Sequence, residues 1–170
     1  MTNTHNTIIG LVNPKTPTNM GAIMRAAGCY EVASVRYTGE RFDHAVKYHT
    51  DTKGIFGKIP LLQVESLLDG LPEYTKIVCV ELVEGASLLP AFEHPEQALY
   101  IFGPEDGSIP QALIDRADHV VYIPTIGCMN LAATVNVLLY DKLAKSPALQ
   151  DSQERIVSSR DINNRLRLKL

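Results

Sequence analysis

Long hydrophobic runs are missing from this chain. No apolar stretch in its 170 residues approaches the roughly 18–20 that a membrane span needs. The opening residues, MTNTHNTIIG, have neither the charged start nor the apolar stretch of a secretory leader, so a cytoplasmic protein is expected. Cysteine is scarce: Cys29, Cys79 and Cys128 are odd in number and match no metal-ligand spacing, and the five histidines are scattered. Neither a disulfide framework nor a zinc site is therefore expected. An excess of positive charge is also missing, since the net charge is −3. Any nucleic acid must be held by a local patch or a shared dimer surface rather than by bulk charge. Finally, there is no GxGxxG and no GxxxxGK[ST], which leaves a dinucleotide site and a phosphate-binding loop without support.

What is present is ordinary for one globular domain: 45% hydrophobic and 21% charged residues over a length that can bury a sizeable core. Short apolar runs rich in β-branched residues recur at 7–12 (TIIGLV), 32–38 (VASVRYT), 76–82 (KIVCVEL), 98–102 (ALYIF) and 119–124 (HVVYIP), with IPLL at 59–62 as a further short strand. Their nearly continuous hydrophobicity predicts strands buried on both faces, as in a parallel sheet. Helical patterns lie between them. Met20, Ile23, Met24 and Ala27 form one stripe, LQVESLLDGL and IPQALIDRA are shorter candidates, and the longest helix is expected over about 130–145, ended by Pro147. Alternating strand and helix predicts an open, mainly parallel α/β sheet with helices on both faces. The tail, DSQERIVSSRDINNRLRLKL, alternates Arg165, Arg167 and Lys169 with Leu166, Leu168 and Leu170, and reads as a frayed end or a short amphipathic element docked on a partner subunit.

Ligands of open α/β sheets sit beyond the C-terminal ends of the strands, so the loops there carry the functional reading. After the first strand, NPKTPTNMGAIMRAAG is stiffened by Pro14 and Pro17, with Thr18 or Asn19 as helix cap. Arg25 falls opposite the apolar stripe, with Gly21 and Gly28 on its own face; by itself it reads as a solvated surface arginine. GPEDGSIP, from Gly103, is a tight turn that suits either a capped loop or a small polar ligand. TIGCMNLAATV offers Asn130 as a helix cap, Ile123 and Met129 as an apolar slot, and Cys128 as a small buried filler.

Together, NMGAIMRAAG (19–28), IFGPEDGSIP (101–110) and IPTIGCMNLAATVNVLLYD (123–141) resemble, in order and spacing, the SPOUT superfamily of RNA methyltransferases, and within it the TrmH (SpoU) family. The absence of an added RNA-binding domain, and KYH at 47–49, are similar to the minimal TrmL-like members. The resemblance implies a C-terminal deep trefoil knot over about 98–145, a homodimer that completes the active site, S-adenosyl-L-methionine as cofactor, no metal, and methyl transfer to a ribose 2′-hydroxyl of RNA. It assigns Arg25, Asn19, Glu105 and Asn130 to catalysis, and cofactor contacts to Leu82, Gly103, Ile123, Pro124 and Met129. RNA contacts are expected from Lys53, Arg165, Arg167 and Lys169 as well as from Arg25. tRNA, at the anticodon wobble nucleotide, is the substrate implied, with ribosomal RNA as the alternative. A knotted RNA-binding or assembly protein without activity is the competing reading. Two positions depart from the family: Cys128 stands where Ser is frequent, and Ser108 where the second motif usually carries its later Gly.

Overall fold

The structure is a computed structural model, and it describes residues 6–46, 59–147, 153–166 and 168. Lys53, Arg167, Lys169 and the KYH element at 47–49 lie outside the described residues. Among the described residues seven strands form one sheet: β1 (Thr7–Leu11), β2 (Ser34–Tyr37), β3 (Leu61–Gln63), β4 (Lys76–Val80), β5 (Ser87–Leu88), β6 (Ala98–Phe102) and β7 (His119–Tyr122). Their order is β3-β2-β1-β6-β4-β7-β5, and every pairing is parallel. All five residues of β1 and of β6 are buried, as expected where apolar runs have no polar alternation.

The two faces of these strands feed two cores. Ile9, Leu11, Tyr100 and Phe102 point to one, where α1 (Pro17–Cys29) and α4 (Leu131–Ala144) pack against the sheet and each other. The predicted stripe of Met20, Ile23, Met24 and Ala27 is buried there. Ile8, Leu99, Ile101 and Cys79 point to the other, covered by Leu67 and by α3 (Gln111–Ile114). Burial pushes the Cys79 thiol up to about 12, which makes it an inert filler. The expectation of helices on both faces holds, with a single short turn of helix on the second face.

Several boundaries differ from the sequence expectation. LQVESLLDGL is not a helix: Leu62 and Gln63 end β3, and 67–70 form a turn in which Gly70 takes φ +60°. Buried Arg36 explains the turn, because its Nη1 donates to the carbonyls of Leu67 (3.2 Å) and Asp69 (2.8 Å), which a continuing helix would have claimed. IPQALIDRA yields only the one turn of α3. β5, a two-residue edge strand, and α2 (Arg41–Val46) are too short to leave a periodic signal. In the tail, α5 (Gln153–Ser159) is followed by exposed residues that include Arg165.

The C-terminal half of α4 is anchored by a polar cluster built around the buried His94 side chain. His94 sits between Tyr100 Oη and Asp141 Oδ2, each 2.8 Å from a ring nitrogen. Lys145 Nζ donates to the same Asp141 oxygen (2.7 Å) and to the carbonyls of Leu89 and Phe92. Burial lowers the His94 pKa, outweighing the opposing hydrogen bond to Asp141. A histidine whose folded pKa lies below its ordinary 6.5 takes up its proton more readily when unfolded. Its contribution to stability is therefore present above pH 6.5 and is lost as the pH falls below it. Urea unfolding should show stability declining as the pH falls below 6.5, and the His94→Gln variant should show a shallower decline. An identical slope in the two proteins would contradict this role.

Candidate active site

The parallel sheet turns all its C-terminal strand ends to one side, and a cleft of about 710 Å³ opens there. Four loops line it. Thr16, Thr18 and Asn19 follow β1. Glu81 and Leu82 follow β4. Gly103, Pro104, Glu105 and Gly107 follow β6. Ile123, Thr125 and the residues from Gly127 through Asn130 follow β7. The volume falls within the ~300–1,000 Å³ of small-molecule and cofactor clefts.

Three of these loops are joined by one run of hydrogen bonds. The Glu105 carboxylate accepts from the backbone N–H of Lys15 (2.9 Å) and Thr16 (3.0 Å) and from Asn19 Nδ2 (3.2 Å). Asn19 Oδ1 accepts from Asn130 Nδ2 (2.7 Å). Asn130 Oδ1 then accepts from the N–H groups of Ala132 (2.9 Å) and Ala133 (3.2 Å), capping α4. Asn130 is thus both the helix cap and a link in the network.

Burial alone would raise the Glu105 pKa, but the backbone and Asn19 donors together outweigh it and hold the carboxyl below its usual range. The local sequence explains the arrangement. Pro17 starts α1, so Thr16 is the cap residue, yet its side chain caps nothing. The Glu105 carboxylate reaches that N-terminus instead, where the helix dipole favours an anion. Thr18 and Asn19, expected as caps, lie inside the first turn, which releases the Asn19 amide to bridge two loops.

The loop after β6 is held from two further sides. Asp106 accepts both terminal nitrogens of Arg41, at 2.9 and 2.8 Å, with Lys15 Nζ at 3.7 Å. Glu81 accepts from the N–H of Ile109 (3.0 Å) and of Leu82 (2.9 Å), tying the β4 and β6 loops together. A Cβ on Gly103 would meet the backbone N of Ile109 at 3.2 Å and Glu81 Oε2 at 3.4 Å, so this approach of backbone and carboxylate suits glycine. Glu81 and Arg41 were not singled out by sequence. The available signal for Glu81 was a lone carboxylate at the end of an apolar strand.

Of the residues expected at a cofactor, Leu82, Gly103, Ile123 and Met129 line the cleft, and Pro124 is not among its lining residues. Cys128 is exposed on the lining rather than a buried filler. Arg25 is exposed on α1, about 9 Å along the helix axis from Asn19 by the 1.5 Å rise per residue, and does not line the cleft of the single chain. Arg165 lies far along the chain in the exposed tail and is likewise absent from the lining. Among the described residues no cluster of His, Cys, Asp and Glu is arranged to hold a metal, and no helix is long and apolar enough to cross a membrane.

Replacement of Asn130 separates its two roles. Asn130→Ala should lower stability by about 1–2 kcal/mol through loss of the cap. Asn130→Asp should retain the cap but lose the donor to Asn19, leaving stability closer to that of the unaltered protein. Urea unfolding checks the order, and equal losses in both variants would count against it.

Among curated proteins none matches this chain. Among solved structures, the TrmH/SpoU tRNA modifying enzyme of A. aeolicus superposes with a TM-score of 0.68 at 18% identity, covering 92% of this chain and 86% of that one. An AdoMet-bound rRNA methyltransferase from Sinorhizobium meliloti superposes with 0.67 at 20% identity, covering 81% of this chain. The match spans only 56% of that longer protein. A structure concerned with 2-OH methylation of C/U34 on tRNA gives 0.64 at 20% identity, covering 80% and 88%. These likenesses establish a shared fold. The sequence model of the SpoU rRNA Methylase family matches residues 6–140, which include all three motif loops and the network that joins them, and the chain belongs to that family.

Proposed function

We propose that this protein is an S-adenosyl-L-methionine-dependent RNA 2′-O-ribose methyltransferase that works as a homodimer. The observation that carries the reading is the Glu105–Asn19–Asn130 network, which joins the three loops of the family resemblance at one cleft. The residues present fit an adenosyl cofactor. Leu82, Ile123 and Met129 supply apolar surface for a flat base, and Gly103 lets backbone approach closely. When bound, the cofactor supplies a methyl group on a positively charged sulfur.

The protein's own residues do the rest. Glu105, Asn19 and Asn130 keep the loops in register. A ribose hydroxyl must lose its proton as the methyl arrives, and a guanidinium stabilises the oxygen as its negative charge develops. Arg25 has that role in this proposal. Arg25 lies outside the cleft of its own chain, and the homodimer of this proposal has the second copy's Arg25 face the cofactor. The trefoil knot of the family is part of the same reading, with the loops after β6 and β7 inside it.

tRNA is the substrate we favour, at the wobble nucleotide. The likeness to the A. aeolicus tRNA enzyme over nearly the whole of both chains supports tRNA, and the likeness to the structure concerned with C/U34 supports the position. Ribosomal RNA is the second reading, favoured by the likeness to the S. meliloti enzyme. Lys53, Arg165, Arg167 and Lys169 are assigned to the RNA backbone, a role that predicts salt-sensitive binding. Cytoplasmic location belongs to the same proposal.

Incubation with labelled methyl donor and unmodified tRNA or rRNA should place label on a ribose, detected as an alkali-resistant dinucleotide. No incorporation into either RNA, with donor binding demonstrated, overturns the enzyme reading. Arg25→Ala should reduce transfer on the order of 10²-fold or more, as removal of a single charge-stabilising donor does, and should leave donor affinity nearly unchanged. Parallel loss of donor binding and transfer would assign Arg25 to the cofactor instead.

A further inference from the structure

The charge that a single chain gives its cleft is one-sided. Glu81 and Glu105 line it, and no Lys, Arg or His does so among the described residues. The two carboxylates are compensated unequally. Glu105 accepts from the backbone of Lys15 and Thr16 and from Asn19, all within 3.2 Å. Glu81 accepts a single N–H on each oxygen, from Leu82 and Ile109. A carboxylate offers about four acceptor sites, so Glu81 keeps more of its capacity and more of its field. Gly103 has no Cβ to stand 3.4 Å from Glu81 Oε2, so no side chain from that position crowds the carboxylate.

We infer that Glu81 makes the cleft selective for a cationic methyl donor over the neutral thioether that remains after transfer. The inference rests on the methyltransferase reading above. In that reaction the bond from sulfur to methyl breaks with its electron pair staying on sulfur, the bond from ribose oxygen to methyl forms, and the hydroxyl proton leaves to solvent. The sulfur thereby changes from positive to neutral. The Glu81 carboxylate attracts the first form and loses that attraction for the second, so charge selection at this residue favours donor loading and product release. Glu81 is in this account a specificity-determining residue as well as the tie between the β4 and β6 loops.

The test separates charge from loop geometry by using ligands that share the same adenosyl and amino-acid parts. Calorimetry on the full chain would measure S-adenosyl-L-methionine, the amine-bearing analogue sinefungin and S-adenosyl-L-homocysteine against the unaltered protein, Glu81→Gln and Glu81→Asp. Glu81→Gln should weaken the two cationic ligands by about two- to five-fold relative to the homocysteine product, the size of a partly screened charge pair. Glu81→Asp, which keeps the charge, should preserve the ratio even if all three affinities fall. Equal weakening of all three ligands by Glu81→Gln would make Glu81 a loop tie alone and overturn the inference, as would an unchanged ratio with unchanged affinities. Binding of none of the three by the unaltered protein would instead remove the methyl-donor reading on which the inference stands.

Discussion

The Glu105 carboxylate is the constraint on which the candidate site depends. It occupies the N-terminal end of α1 without belonging to α1, accepting the backbone N–H groups of Lys15 and Thr16 and the amide of Asn19. Asn19 passes the connection to Asn130, which caps α4. Two helices that pack on the same face of the sheet are thus also tied at their N-terminal ends through a residue that follows β6. Each link pairs a backbone or amide group of one element with a side chain of another. Because the network joins positions about 90 and 111 residues apart in sequence, its formation reports the arrangement of the whole sheet.

The sheet makes that meeting possible. With β6 inserted between β1 and β4, the loops after β1, β4 and β6 emerge side by side, and β7 adds the fourth. The order departs from the sequence order where the chain returns to the centre of the sheet, the kind of place where open α/β folds keep their ligand sites. Secondary ties then stiffen the loop after β6: Arg41 on Asp106, and Glu81 on the N–H of Ile109. Such support fixes functional groups more closely than loops alone would. Below the cleft, His94, Asp141 and Lys145 hold the other end of α4 against the chain at 89–95.

Much of this was legible in the linear chain. The central strands announced themselves by uninterrupted apolar runs, and α1 by Met20, Ile23, Met24 and Ala27 at helical spacing. Elements of two to six residues, β5 and α2, were not legible, because a periodic signal needs more residues than they have. LQVESLLDGL misled for a different reason: a helical pattern was present, but Arg36, a buried cation remote in sequence, claimed the carbonyls at Leu67 and Asp69. At the site, Glu105, Asn19 and Asn130 were found through family resemblance. Glu81 was not, since its partners are backbone groups of residues that have no distinctive side-chain signature.

The sequence by itself determined the class of the fold, the faces of its long helices and the residues that carry its family motifs, because apolar periodicity and short motifs are local properties of the chain. Tertiary structure alone decided that Asn130 serves as cap and bridge together, that Glu105 supplies the anion at the start of α1, and that Glu81 and Glu105 share a cleft without a cation among its described lining residues. It also set Arg25 outside its own chain's cleft. These outcomes depend on where strand order brings distant loops, and hydrogen bonds and charges act through space rather than along the chain.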